Sequence, residues 1–145
     1  METKKTLLHR LFGWGKIPKK YAPTLRDEGI VLLEEGIGGS ITFRKFKAPG
    51  RYHSYKKSWF TGSIVITEKT FAAFAFMKPV IFVPLDHEKF SELKCNVEEG
   101  KTLFVKFDAS TFHEKWSGTI ECRFKTSKAR QFLDRLPRSG RRPAR

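Results

Sequence analysis

Between residues 27 and 136 the dominant spacing of apolar side chains is two. Along Gly118–Phe124, Ile120, Cys122 and Phe124 alternate with Thr119, Glu121 and Arg123. Leu103, Val105 and Phe107 alternate with Phe104 and Lys106, Ile64 and Ile66 with Val65 and Thr67, and Ile41 and Phe43 with Thr42 and Arg44. Successive side chains of a strand point to opposite faces, so this alternation predicts strands with one face on a core. Turn formers recur at short intervals: Gly38-Gly39, Pro49-Gly50, Glu68-Lys69, Lys78-Pro79 and Glu98-Glu99-Gly100-Lys101. They predict an antiparallel meander over 29–35, 40–47, 53–60, 62–67, 70–76, 80–85, 90–96, 102–108 and 117–125, with one or two of these stretches expected as loops.

The period changes only near the C-terminus. Ala129, Phe132, Leu133 and Leu136 fall at i, i+3, i+4 and i+7, Ser127 is placed to cap the helix, and Pro137 ends it. The apolar stripe of this helix, 127–136, must bury, and the open end of the sheet is the available surface. Residues 1–26 read as a basic extension in which Lys4–Phe12 form a short amphipathic helix, and the Pro-, Gly- and Arg-rich stretch 137–145 reads as a disordered basic tail.

A chain of 145 residues with 14 phenylalanines fits one domain with a core that needs no staples. The two cysteines, Cys95 and Cys122, are too few for a disulfide framework or a cysteine-based zinc site, although one bridge between them is geometrically open. The N-terminus lacks the long apolar run of an export signal, and a cytoplasmic setting is expected. The longest apolar stretch, Phe71–Leu85, is broken by Lys78-Pro79 and Pro84, and suits two buried strands better than a membrane span.

The formal net charge is +14, and it is concentrated. Residues 1–26 carry +6, residues 40–57 carry +6 with no acid at all, and residues 123–145 carry +8, while 27–39 carry −4 and 58–122 carry −2. That distribution predicts attraction to a polyanion, either an anionic membrane surface or nucleic acid. Catalysis has no comparable support. His9 lies in the extension, His53 in the acid-free basic segment, and His87 in Asp86-His87-Glu88, which reads as a solvated loop and not as a metal site. Asp108 and His113 flank Ser110 and Thr111 without a nucleophile elbow, and Gly36, Gly38 and Gly39 lack the helix and lysine of a phosphate loop. The expectation is a non-enzymatic binding module without metal or cofactor.

The informative segment is Arg44–Lys57, in which Arg44, Lys45, Lys47, Arg51, Lys56 and Lys57 surround Pro49-Gly50 with Phe46, Tyr52, His53 and Tyr55 interleaved. If 40–47 and 53–60 pair through that turn, the hairpin tip becomes a cationic prong. In the N-terminal extension, Leu7, Leu8, Leu11, Phe12 and Trp14 beside Lys4, Lys5, Arg10 and Lys16 read equally as an interfacial membrane anchor or as apolar groups that pack on the barrel or on another protein.

The strand-rich layout, the hairpin Gly62-Ser63-Ile64-Val65-Ile66-Thr67-Glu68-Lys69, and the strand Ser117–Thr126 leading into the closing helix resemble the pleckstrin-homology-like (PH-like) barrel, especially its GRAM-type relatives. The resemblance covers roughly residues 28–136. It implies about seven antiparallel strands in two near-orthogonal sheets closed by a C-terminal helix. It also implies headgroup binding by basic residues around the first strands and their connecting loop, here Arg44–Lys57. The expected function is peripheral association with anionic membrane lipid. A protein-interaction module of the same fold is the alternative, and non-specific nucleic-acid binding by basic residues among aromatics the third reading.

Overall fold

The alternating stretches become seven strands: β1 (Ile30–Ala48), β2 (Arg51–Thr67), β3 (Thr70–Ala75), β4 (Lys78–Pro84), β5 (Lys94–Glu98), β6 (Thr102–Asp108) and β7 (Ser117–Lys125). Helix α1 (Ala22–Asp27) precedes them and α2 (Ala129–Arg135) follows. These elements belong to a computed structural model, which describes residues 16–137. The expected helix Lys4–Phe12, the anchor residues Leu7, Leu8, Leu11, Phe12 and Trp14, and the tail beyond 137 lie outside the described residues. The protein is mainly β, with all seven strands in one antiparallel sheet in the order β4-β3-β2-β1-β7-β6-β5. The sheet is not closed by hydrogen bonds, and β4 and β5 are its edges.

Four of the expected short strands are two long ones. The stretches 29–35 and 40–47 fuse into the 19-residue β1, and 53–60 and 62–67 into the 17-residue β2. Gly38-Gly39 is therefore no turn. A Cβ on Gly39 would stand 2.3 Å from the Arg123 carbonyl oxygen and 2.7 Å from the tip of the Phe60 ring. The glycine lets three strands close up around a buried phenylalanine that packs edge-on against Phe124, centroids 5.7 Å apart. Long strands must bend to enclose a core, and register shifts at Glu35/Ile37 and Arg44/Lys47 supply the bends. The second sits at Lys45, with φ of 50°, opposite Gly118, where φ is +104° and a Cβ would meet the Lys45 carbonyl oxygen at 2.4 Å.

One apolar core draws on both ends of the sheet. Phe71, Ile81 and Val83 from β3 and β4 join Leu103, Val105, Ile120 and Phe124 from β6 and β7, so the sheet curls around its inner face. The alternation in β6 and β7 falls as expected, with Leu103, Val105, Phe107, Ile120, Cys122 and Phe124 all inward. Phe132, Leu133 and Leu136 bring α2 onto β5 and β6. Burying a side chain of this kind contributes about 1.5–3 kcal/mol. Thr126 organises the helix entry: its hydroxyl accepts the Lys128 N–H at 3.0 Å and donates to the buried Glu34 on β1 at 3.0 Å. The N-cap position itself is Lys128, one residue after Ser127, and its side chain makes no capping hydrogen bond. The stretch 90–96 divides into a 3₁₀ turn, Glu88–Glu92, that buries Phe90, and the short β5.

The end of the basic extension is also structured. Helix α1 sets Leu25, fully buried, on Val65, Ala72 and Phe74 of the sheet's outer face, with Ile17, Tyr21 and Leu33 around them. This explains why β2 is buried on both sides after Phe60: Ile64 and Ile66 face the main core while Val65 faces α1. The remaining outer face, over the first half of β2, the second half of β1, and β7, β6 and β5, has no such cover among the described residues.

The cysteine bridge left open by the sequence is ruled out. Val105 separates Cys95 on β5 from Cys122 on β7. Two strand spacings put them about 10 Å apart, beyond disulfide reach. Burial, reinforced by the neighbouring Glu121 charge, pushes the Cys122 thiol up to about 12. Iodoacetamide at pH 8 should therefore leave Cys122 unlabelled in the native protein and label it fully in urea, as read by mass spectrometry. Gly39→Ala should destabilise the fold by roughly 1–3 kcal/mol, seen as a lowered urea midpoint with an unchanged slope.

Candidate functional site

The basic segment forms the end of the β1–β2 hairpin. Its β1–β2 ladder keeps one register from Ser40↔Trp59 through Arg44↔Tyr55 and Phe46↔His53 to Ala48↔Arg51, around Pro49-Gly50. Proline with its fixed φ followed by Gly50 at φ 75° is the chemistry such a turn requires.

The hairpin does not gather its six basic residues on one face. Arg44 and Lys57 stand on the outer face, Arg44 above the Tyr55 ring at 5.2 Å and Lys57 above the Trp59 ring at 4.5 Å. Lys56 is opposite Phe43, on the face that continues into the core. Arg51 lays its guanidinium over the Phe46 ring at 5.6 Å, and Lys47 places its ammonium 5.9 Å from the Tyr52 ring. Lys45 is exposed at the bulge. Of the six, only Arg44 has a carboxylate within ion-pair distance among the described residues, donating to Glu121 at 3.0 Å.

Beneath the tip the inner face is aromatic. Phe46 stacks on His53 (6.1 Å, 15°) and meets the edge of Trp116, which stacks in turn on His113 at 3.7 Å. A cavity of about 140 Å³ opens there between Phe43, Phe46, Arg51, Val80, Phe112 and Trp116. That is below the ~300 Å³ of an ordinary ligand pocket.

A second concavity, larger than this cavity, lies on the outer face. Cross-strand register places Trp59, Ser40, Arg123, Phe104 and Asn96 in one row, and Lys57, Thr42, Glu121, Lys106 and Lys94 in the next. Ser40 and Thr42, each 1% exposed, form a low floor between the walls raised by β2 and β7. The resulting trough, about 480 Å³, is lined by Gly39, Ser40, Lys57, Trp59, Arg123 and Lys125, with Glu98, Glu99 and Thr102 at its far end. Trp59 is 62% exposed. Lys57 and Lys125 approach its ring from two strands, at 4.5 and 5.4 Å.

The charges of this face fall into two groups. Glu121, nearly buried, accepts from Arg44 at 3.0 Å and from Arg123 at 3.5 Å, and Arg123 also donates to Glu98 at 3.0 Å. Burial works against the charge of Arg123, but hydrogen bonds and the charges of Glu98 and Glu121 outweigh it and raise its pKa. Among the described residues, neither Lys57 nor Lys125 has a carboxylate within 4.0 Å. Trp59, Phe104, Arg123 and Lys125 were not singled out in the sequence. The alternation Tyr55-Lys57-Trp59 was visible there, but the register that brings β6 and β7 beside it was not.

Asp108 and Ser110 are a turn. Asp108 accepts from the Ser110 backbone N–H at 2.8 Å and from its hydroxyl at 2.7 Å, capping the 3₁₀ turn Ala109–Thr111. These two bonds hold the Asp108 carboxyl below its ordinary value. His87 likewise accepts the Lys89 N–H at 3.0 Å. Among the described residues, no three His, Cys, Asp or Glu side chains converge as metal ligands, and no helix is long and apolar enough to cross a membrane. No family model, curated protein or solved structure matches the chain at a significant level.

Asp108→Ala should lower stability by about 1 kcal/mol at pH 7. A depressed folded-state value contributes stability above the unfolded pKa that is lost as pH falls. The gap between wild type and variant should therefore narrow below about pH 4 in urea titrations at stepped pH.

Proposed function

We propose that this protein is a PH-like barrel that associates peripherally with anionic membrane through its β1–β2 hairpin. In this reading the sheet halves on either side of β1 are the two near-orthogonal layers of such a barrel. The strand order β4-β3-β2-β1-β7-β6-β5, the single core shared by both halves, and a helix directly after β7 support this reading.

The observation that carries the function is the display of cations at the hairpin end. Lys45, Lys47, Arg51, Lys56 and Lys57 are all exposed, and none of the five has a carboxylate within 4.0 Å among the described residues. Tyr52 beside them is 58% exposed, the amphipathic ring expected where a surface meets lipid headgroups. Each basic side chain near an anionic leaflet contributes about 1 kcal/mol. Five of them give salt-sensitive binding without a stereospecific pocket, which suits their spread over both faces of the hairpin.

The full chain should sediment with phosphatidylserine-containing vesicles, not with neutral ones, and less at physiological than at low salt. Lys45→Glu with Lys47→Glu should reduce that binding by roughly tenfold or more, since each reversal removes one attraction and adds one repulsion. Equal sedimentation with both vesicle types, or none at low salt, would refute the reading.

A further inference from the structure

The outer face of the sheet carries a second surface, which shares only Lys57 with the cations assigned to membrane docking. Its prominent groups are aromatic rings paired with cations: Tyr55 under Arg44, Trp59 between Lys57 and Lys125, and Phe104 under Arg123 at 4.5 Å. Tyr55, Lys57 and Trp59 share one side of β2, because alternate residues of a strand do. Phe104 lies in the Trp59 row three strands away, about 14 Å across the sheet. Lys106 and Lys94 continue the basic residues along the adjoining row.

We infer that this face binds single-stranded nucleic acid, with bases stacking on Trp59 and Tyr55 and the phosphodiester backbone following Lys57 and Lys125 through the trough. The inference is independent of the membrane reading. Three features favour this occupant. Trp59 lines the trough and is 62% exposed, so its ring is offered to something that enters it. The two lysines beside Trp59 repel one another and have no carboxylate counterion among the described residues, so an anion between them relieves that repulsion. The alternation of rings and cations continues past the trough to Tyr55 and Phe104, which is longer than one nucleotide and matches a strand. Acidic groups are present, but Glu121 and Glu98 are engaged by Arg44 and Arg123, leaving Glu99 at the rim. A stacking surface of this kind discriminates against duplex, whose bases are already stacked on each other.

The test is fluorescence anisotropy of the full chain with a short labelled oligothymidylate at low salt. Parallel titrations use the same strand annealed to its complement and competition by thymidine monophosphate. Binding to the single strand should exceed binding to the duplex. Trp59→Ala should weaken it by roughly tenfold or more, and Trp59→Phe should restore most of the loss. Lys57→Gln with Lys125→Gln should make the dependence of log affinity on log salt shallower by about 1.4. Trp59 is exposed, so these variants should keep the wild-type urea midpoint. Lys45→Glu with Lys47→Glu should lose vesicle binding and keep oligonucleotide binding to within a few-fold, which separates failure of one reading from failure of the other. Equal duplex binding, an unchanged affinity in Trp59→Ala, or competition by the mononucleotide at equal nucleotide concentration would overturn the inference. So would a Trp59→Ala variant that lost vesicle binding in a protein that bound no oligonucleotide.

Discussion

Between Gly39 and Arg44, strand β1 is hydrogen-bonded on both sides, to β2 and to β7, and most of the molecule is arranged around that stretch. A central strand must present small or well-shaped side chains to both layers, because its neighbours' side chains lean over it. On the inner face Gly39 makes room for the Phe60 ring, and on the outer face Ser40 and Thr42 leave the floor on which Trp59 and Arg123 confront one another. The core packing and the outer trough are thus two consequences of one strand with little bulk at its centre. The register that seats Phe60 against Gly39 is the register that aligns Trp59 with Arg123. A one-residue slip would exchange the faces and lose both.

The second organising effect is the division of charge. A nearly buried carboxylate at Glu121 is tolerable only because Arg44 and Arg123 meet it, and removing either partner would leave a charge poorly compensated in a low-dielectric setting. The two arginines are therefore largely committed to the sheet. Exposed lysines have no such obligation, and ion pairs at their depth would be worth at most about 1 kcal/mol. Among the described residues, Lys57 and Lys125 on the face, and Lys45, Lys47 and Lys56 at the hairpin, have no carboxylate within 4.0 Å. A net charge of +14 consequently overstates what is available and says little about where it is available.

Helix α1 explains why one part of the outer face is open and another is not. Leu33, Val65, Ala72 and Phe74 make that part of the face apolar, and Leu25 covers it. Beyond Phe60 toward the hairpin the outward residues of β2 become Trp59, Lys57 and Tyr55, which the helix does not reach. The change from covered to open face occurs within a single strand. Continuous burial over Phe60–Thr67 gives way there to the nearly continuous exposure of the hairpin arm.

Much of the architecture was legible from periodicity alone. Alternation in Leu103–Phe107 and Gly118–Phe124 fixed both strands and their inward residues, because a period of two has only one structural solution beside a core. The spacing of Ala129, Phe132, Leu133 and Leu136 likewise fixed the closing helix. Glycine was misleading, since Gly38-Gly39 serves close approach in a strand and looks identical in sequence to a turn. Register, by contrast, is a relation between distant segments. The pairing that sets Trp59 beside Ser40, Arg123 and Phe104, and that keeps Cys95 and Cys122 two strands apart, depends on how three ladders align. The chain by itself determined that there would be basic and aromatic side chains on exposed strand faces. Only the tertiary structure decided which of them share a face and which spend their charge on Glu121, because curling one sheet around one core sets every cross-strand neighbour at once.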